Sequence, residues 1–319
     1  MPWLSLPHLS PTTLRFLIGV AAFLALASLV GGVLALTLRG ERARATVANL
    51  NARIRSWWVM VGVVVGAGLA GVGAACILFG LISFLALREF VTLSPTRRGD
   101  HRTLFWLFFI VVPAQFWLVW DNWYGLASVF VPVWVFLFIA ARSVAAGDTR
   151  DYLARVARIH AATMICVYFV SHAPLLLQLS TPERPALGLD LLLYLIAVSQ
   201  LSDVFQYMWG KLCGRHPVAP TISPNKTWEG LIGGGLTAIA VGTGLWWMTP
   251  FAWWQSALFA AVIVFCGFIG GLVMSAIKRD AGVKDWGHLI PGHGGIVDRI
   301  DSLAFAAPAF LHLLRYHLP

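Results

Sequence analysis

Long apolar runs separated by short polar connections recur along the whole chain, at residues 14–38, 57–87, 104–120, 126–141, 159–179, 189–201, 231–249, 255–274 and 302–314. Most are apolar all round, without the single stripe that a soluble helix buries, so each predicts a helix surrounded by lipid. The run 57–87 is too long for one crossing. At about 1.5 Å per residue it would reach about 46 Å, against a hydrocarbon core of about 30 Å. Gly66, Gly68, Gly71 and Gly73 cluster at its middle, which predicts two short spans joined by a tight glycine-rich turn. The expected fold is all-α: a polytopic integral membrane protein of about ten transmembrane helices, with both termini outside.

Composition adds charge to this picture. The chain is 59% apolar and only 12% charged, yet its net charge is +9. Of the 23 Lys and Arg, only Arg15, Arg184 and Arg315 fall outside five polar loops, at 39–56, 88–103, 142–158, 203–230 and 275–301. The positive-inside rule makes all five cytoplasmic, so the cations face anionic lipid of the inner membrane and nucleic acid is excluded as a partner. Residues 1–13 carry no charged side chain ahead of the first apolar run, so no signal peptide is expected and the first span is retained. The four Cys are scattered, without CxxC spacing, and read as buried small apolar side chains rather than a disulfide framework or zinc site.

The polar loops are not alike. Residues 39–56 hold five Arg and one Glu, the pattern of an amphipathic surface helix or of a plain topology anchor. The four Lys of the chain, Lys211, Lys226, Lys278 and Lys284, all lie in the loops 203–230 and 275–301. The latter reads SAIKRDAGVKDWGHLIPGHGGIVDRID and sets Lys278, Arg279, Lys284 and Arg299 beside Asp280, Asp285, Asp298 and Asp301. Mixed charge with several glycines predicts a polyphosphate-plus-metal site, in which acids hold the cation and bases the phosphates. Asp298 and Asp301 stand three apart where the last span begins, so they share a helical face at the membrane boundary.

The spacing S-x-x-K-R-x4-K-D-x5-P-G-H-G-G-x2-D-R-x-D from Ser275 resembles, without a gap, the motif of the phosphatidate cytidylyltransferase (CDP-diacylglycerol synthase) family. Upstream, Asp203, Gly210-Lys211, Gly214-Arg215-His216-Pro217 and Ser223-Pro224-Asn225-Lys226-Thr227-Trp228-Glu229-Gly230 resemble a second segment of that family. The likeness covers about residues 50–319, so 1–56 are expected to be an added helix and basic loop, and 57–319 the membrane-embedded catalytic domain. Ser202, Val204-Phe205-Gln206 and Asn225 depart from the common pattern, which bears on lipid preference more than on reaction type.

The resemblance implies an enzyme that transfers CMP from CTP to phosphatidate, giving CDP-diacylglycerol and pyrophosphate for phospholipid biosynthesis. One or two Mg²⁺ ions are the expected cofactor, with Asp285, Asp298, Asp301 and Asp203 as ligands. Lys278, Arg279, Lys284 and Arg299 are expected to hold phosphates. Ser223, Lys226, Thr227, Ser275, Lys211, His293, Gly294 and Gly295 are expected to contact substrate, the glycines by letting backbone approach a phosphate. Trp228 is expected in the interfacial aromatic belt. CTP, phosphatidate and the bilayer are the expected partners, and a homodimer is one expected assembly. Two alternatives stand beside this reading: a CTP-dependent cytidylyltransferase or kinase acting on another, isoprenoid-type lipid, and a non-catalytic membrane scaffold or transporter. A transporter would set its ionisable groups near mid-membrane, whereas here they crowd one edge.

Overall fold

A computed structural model describes residues 9–38, 40–287 and 294–318. Among these, the chain forms ten helices and one small hairpin. The helices are α1 (Pro11–Thr37), α2 (Glu41–Leu69), α3 (Val72–Thr92), α4 (Arg98–Trp120), α5 (Tyr124–Val144), α6 (Tyr152–Gln178) and α7 (Leu187–Cys213), followed by α8 (Gly230–Gly244), α9 (Trp253–Asp280) and α10 (Val297–His317). Eight of them, all but α8 and α10, are long and apolar enough to cross a membrane. Between α7 and α8, β1 (Pro217–Ala219) pairs antiparallel with β2 (Ser223–Thr227), a feature that the apolar pattern did not predict.

The long run 57–87 does break at its glycines, with Gly71 at φ 101°, but the two helices are not short. α2 begins at Glu41, so the arginine-rich segment expected to lie apart on the surface is continuous with the span that follows it. Ala, Arg and Asn at 43–55 include no helix breaker ahead of Trp57, so nothing stops propagation from one into the other.

Contacts between connections sort the loops onto two ends of the bundle. At one end, buried Asp190 accepts hydrogen bonds from Thr13 Oγ1 at 2.6 Å and Arg184 at 3.0 Å, and Arg184 reaches the Thr249 carbonyl at 2.7 Å. Gln178 donates to the Val119 carbonyl and Tyr124 meets His312 at the same end. At the other end, Arg155 and Asp100 form a buried ion pair at 3.2 Å, Glu89 bonds the start of α10, and Arg279 reaches the Ile222 carbonyl. α1 starts at the first end and is about 40 Å long at ~1.5 Å per residue, which carries the start of α2 toward the second. In their described residues, the basic loops 88–103, 142–158, 203–230 and 275–301 share one end.

α6 and α7 form the enclosed centre, where Leu191, Leu192, Tyr194 and Leu195 are fully buried, and α10 packs there through Phe310 and Leu311. α1 turns Phe23, Leu26, Leu29 and Leu36 outward. In lipid these exposed faces carry no hydrophobic penalty, so the helix–helix seams depend on close packing. The seam between α9 and α10 is lined by Gly267, Gly270 and Gly271, which brings the backbone of α10 against α9 at the level of Asp301.

Candidate active site

Three separate segments meet at that level. Asp203 is on α7, ten residues before its end, and Lys226 is on β2. Asp301 lies one turn into α10. Ser302 Oγ donates to Asp203 Oδ2 at 2.7 Å, and the Ser302 amide donates to Asp301 Oδ1 at 2.8 Å, so one residue ties the two carboxylates together. The Lys226 ammonium reaches over the Phe268 ring, 4.9 Å from its centroid, into a notch floored by Gly271. Any side chain on Gly271 would run into that ammonium, and Asp301 Oδ2 lies 3.9 Å from where a Cβ would stand. Burial pushes the Lys226 ammonium below the usual lysine range and Lys278 adds to this, while Asp203 and Asp301 draw it back up. It is a cation short of solvent, held between two carboxylates and a second lysine.

β2 delivers Lys226 because glycines let its neighbours close. Thr227 packs against Gly210 and Gly214 of the α7 end, and its Oγ1 accepts the Gly230 amide at 3.1 Å, capping α8. Gly230 and Gly234 lie against the backbone of Gln206, where a Cβ would meet main-chain atoms at 2.8 and 2.4 Å. The loop before β1 is pinned by Glu229, whose carboxylate takes the Arg215 and His216 amides and the His216 ring at 2.5 Å. These bonds hold Glu229 well below the usual carboxylate range, at about 2.

The acids expected to act together fall into different settings. Asp298 pairs with Lys278 at 2.8 Å through Oδ1, and its Oδ2 accepts the Trp286 and Gly295 amides, each at 3.1 Å. Three donors from α9, the 281–287 segment and Gly295 thus converge on its two oxygens. Asp285 and Lys284 are exposed on 281–287. Asp203 and Asp301 have one hydroxyl and one amide donor between them, and each sits in the other's field. Two hard carboxylates this close, beside bases that can hold phosphate, fit a divalent cation whose remaining ligands would be water and substrate oxygens. Among the described residues no cluster of three or more His, Cys, Asp or Glu stands ready as a complete cage.

The other residues expected to contact substrate stand in varied settings. Arg279 donates to the Ile222 and Val283 carbonyls and so fastens the hairpin to the end of α9. Ser275 donates to the Gly271 carbonyl within α9. Lys211 is exposed, 5.9 Å from the Tyr207 ring centroid. Ser223 opens β2 opposite Ala219, half-buried, and Arg299 is half-buried within the field of Asp203 and Asp301. Gly294 sits at φ 81° with Asp298 Oδ2 3.0 Å from its Cβ position, so a side chain is excluded twice over. Trp228 is half exposed. His293 falls outside the described residues.

Reading the sequence missed Glu89. It is on α3, far from either motif, yet its two oxygens accept the Ile296 and Val297 amides, each at 3.0 Å. An acid in the last turns of an apolar span next to a basic loop was its one signal.

Comparison with known proteins finds the following. The sequence model described as the cytidylyltransferase family matches residues 51–317. The uncharacterized protein YnbB of Escherichia coli (strain K12) is 41% identical over 271 residues, covering 83% of this chain and 87% of that protein. A phosphatidate cytidylyltransferase of Staphylococcus haemolyticus is 42% identical over 129 residues, 40% of this chain and 50% of the relative. One of Mycobacterium bovis is 47% identical over 112 residues, 34% of this chain and 36% of the relative. The matches thus span half or less of these two named relatives.

Proposed function

Because this chain belongs to the cytidylyltransferase family, we propose that it transfers CMP from CTP to phosphatidate, giving CDP-diacylglycerol and pyrophosphate. The observation that carries this reading is the meeting of Asp203, Lys226 and Asp301, from three segments, at the foot of the motif loop. In the reaction, a phosphatidate oxygen bonds to the α-phosphorus of CTP. The bond from that phosphorus to the oxygen shared with the β-phosphate breaks, and pyrophosphate leaves with the electron pair. The attacking phosphate is already ionised, so no residue has to remove a proton from it.

What the chain must supply is relief of repulsion between two anions. A divalent cation, Mg²⁺ in this proposal, held by Asp203 and Asp301 would supply charge neutralisation between them. Lys226 holds a phosphate group from beneath, and the phosphate replaces part of the solvation that burial removes. Arg299 offers a second donor at the same level. Asp298, bound to Lys278 and to the Trp286 and Gly295 amides, ties those two residues to the first turn of α10. The basic end is assigned to the cytoplasmic leaflet, since that is where CTP is made and where anionic lipid attracts Arg and Lys.

The test is turnover of labelled CTP by purified protein with Mg²⁺ and phosphatidate, beside Asp301→Asn. The expected result is Mg²⁺-dependent CDP-lipid and pyrophosphate from the parent, and a loss of at least about a hundredfold in the variant, which corresponds to roughly 2.7 kcal/mol of barrier. Equal turnover by both would remove Asp301 from the mechanism. YnbB matches over most of its length and its name carries no substrate, so an isoprenoid-type lipid phosphate and the free lipid alcohol are run alongside. Product only from the former moves the acceptor; CDP in place of pyrophosphate makes the protein a kinase.

A further inference from the structure

We infer that Glu89 is a positioning residue for this reaction, setting the register of α10 and through it the places of Arg299 and Asp301. The inference rests on the cytidylyltransferase reading for its kinetic half and on geometry alone for the rest. α10 begins at Val297 with no side-chain cap of its own. The first amides of a helix have no partner within it, and at α10 two of them point to Glu89 of α3, one to each carboxylate oxygen, at 3.0 Å. Such charge-assisted bonds are stronger than neutral ones, and a carboxylate at this end also complements the helix dipole.

The surroundings are cut to fit this carboxylate. A Cβ on Gly295 would stand 2.5 Å from Glu89 Oε2 and 2.8 Å from the Gly287 amide, and one on Gly287 would stand 3.0 Å from Glu89 Oε1. The next residue of α3, Phe90, stacks on Trp286 at 4.9 Å between centroids, and the Trp286 amide binds Asp298. The end of α3 therefore grips the motif loop on both sides of the segment 288–293. Register matters because each residue turns a helix by about 100°. If α10 slipped by one residue against its neighbours, Asp301 would swing off the face that meets Asp203 and Lys226. Glu89 bonds neither of those two, so it acts through α10 rather than on substrate.

Glu89→Gln keeps the shape but offers one oxygen and turns an NH2 group toward the other amide. The experiment compares it, and Glu89→Ala, with the parent in two ways: hydrogen exchange at residues 294–303 of the full chain in detergent, and steady-state kinetics with CTP and phosphatidate. Exchange at the Ile296 and Val297 amides should rise at least tenfold in both variants, with the thermal midpoint of Glu89→Gln within a few degrees of the parent. Its kcat should fall at least tenfold while KM for CTP moves by less than threefold, because Glu89 makes no bond to β2 or to Lys226. Unchanged exchange would overturn the contact. Raised exchange with unchanged kcat, or a KM effect alone, would overturn the positioning role. If Glu89→Ala does not fold, Glu89→Gln decides. If the parent turns over neither acceptor, the proposed function fails while the exchange result still stands or falls by itself.

Discussion

Gly271→Ala separates the Lys226 contact from the stability of the fold. The Cβ it adds would occupy the position of the Lys226 ammonium, while the nearest other atoms are Lys226 Cε at 3.5 Å and Asp301 Oδ2 at 3.9 Å. The obstructed group is the tip of a flexible side chain, so α9 and α10 keep their spacing and only the lysine has to leave. Replacing Gly by Ala inside a helix itself contributes about 0.5–1 kcal/mol of stability. The expected result is therefore an unchanged or raised thermal midpoint with reduced catalysis. A hydrogen bond to a charged group is worth about 1.5–3 kcal/mol, so kcat/KM should fall roughly tenfold to a hundredfold. Lys226→Ala should cost a similar factor, and the double variant should add little to either, since one interaction has been removed twice. Turnover is read with labelled CTP and stability by a thermal melt in detergent. Parent-like kcat/KM in Gly271→Ala, or fully additive losses in the double variant, would refute the idea that Lys226 acts from this notch.

Gly270→Ala, one residue away, should behave in the opposite way: its Cβ would meet the Asp301 carbonyl at 2.6 Å and the Phe305 ring at 2.8 Å, which cannot step aside. About 1–3 kcal/mol of overpacking cost should appear as a lower thermal midpoint and poorer recovery of folded protein. For Glu229, the folded-state pKa of about 2 lies below the ordinary value of 4.5, so its contribution to stability is present above about pH 4.5 and is lost as pH falls toward 2. Glu229→Gln should flatten that part of a plot of melting midpoint against pH, and an unchanged plot would mean the loop amides do not hold it.

Much of the fold could be read along the chain. Lipid demands that every backbone group be satisfied within its own segment, so long apolar runs identify helices without knowledge of their neighbours. Charge asymmetry likewise grouped the basic loops, and the contacts of Glu89, Arg155 and Arg279 hold four of the five at one end. The boundaries of α2 were not legible in this way, because hydropathy ends at Trp57 while helix propensity does not.

The motif spacing pointed to two loops, which the structure brings together, but could not divide labour among their residues. Asp298 and Asp301 are equivalent in sequence terms, both acids on the first turns of one helix. Only the tertiary structure commits the first to Lys278 and two amides and leaves the second beside Asp203. Glu89 and Val297 stand 208 residues apart and become partners only once α3 packs beside α10. Local pattern sets what a segment is, since propensity and solvation act within a few residues. Which oxygen stays free for a ligand depends on donors that distant segments bring or withhold, and folding alone decides that.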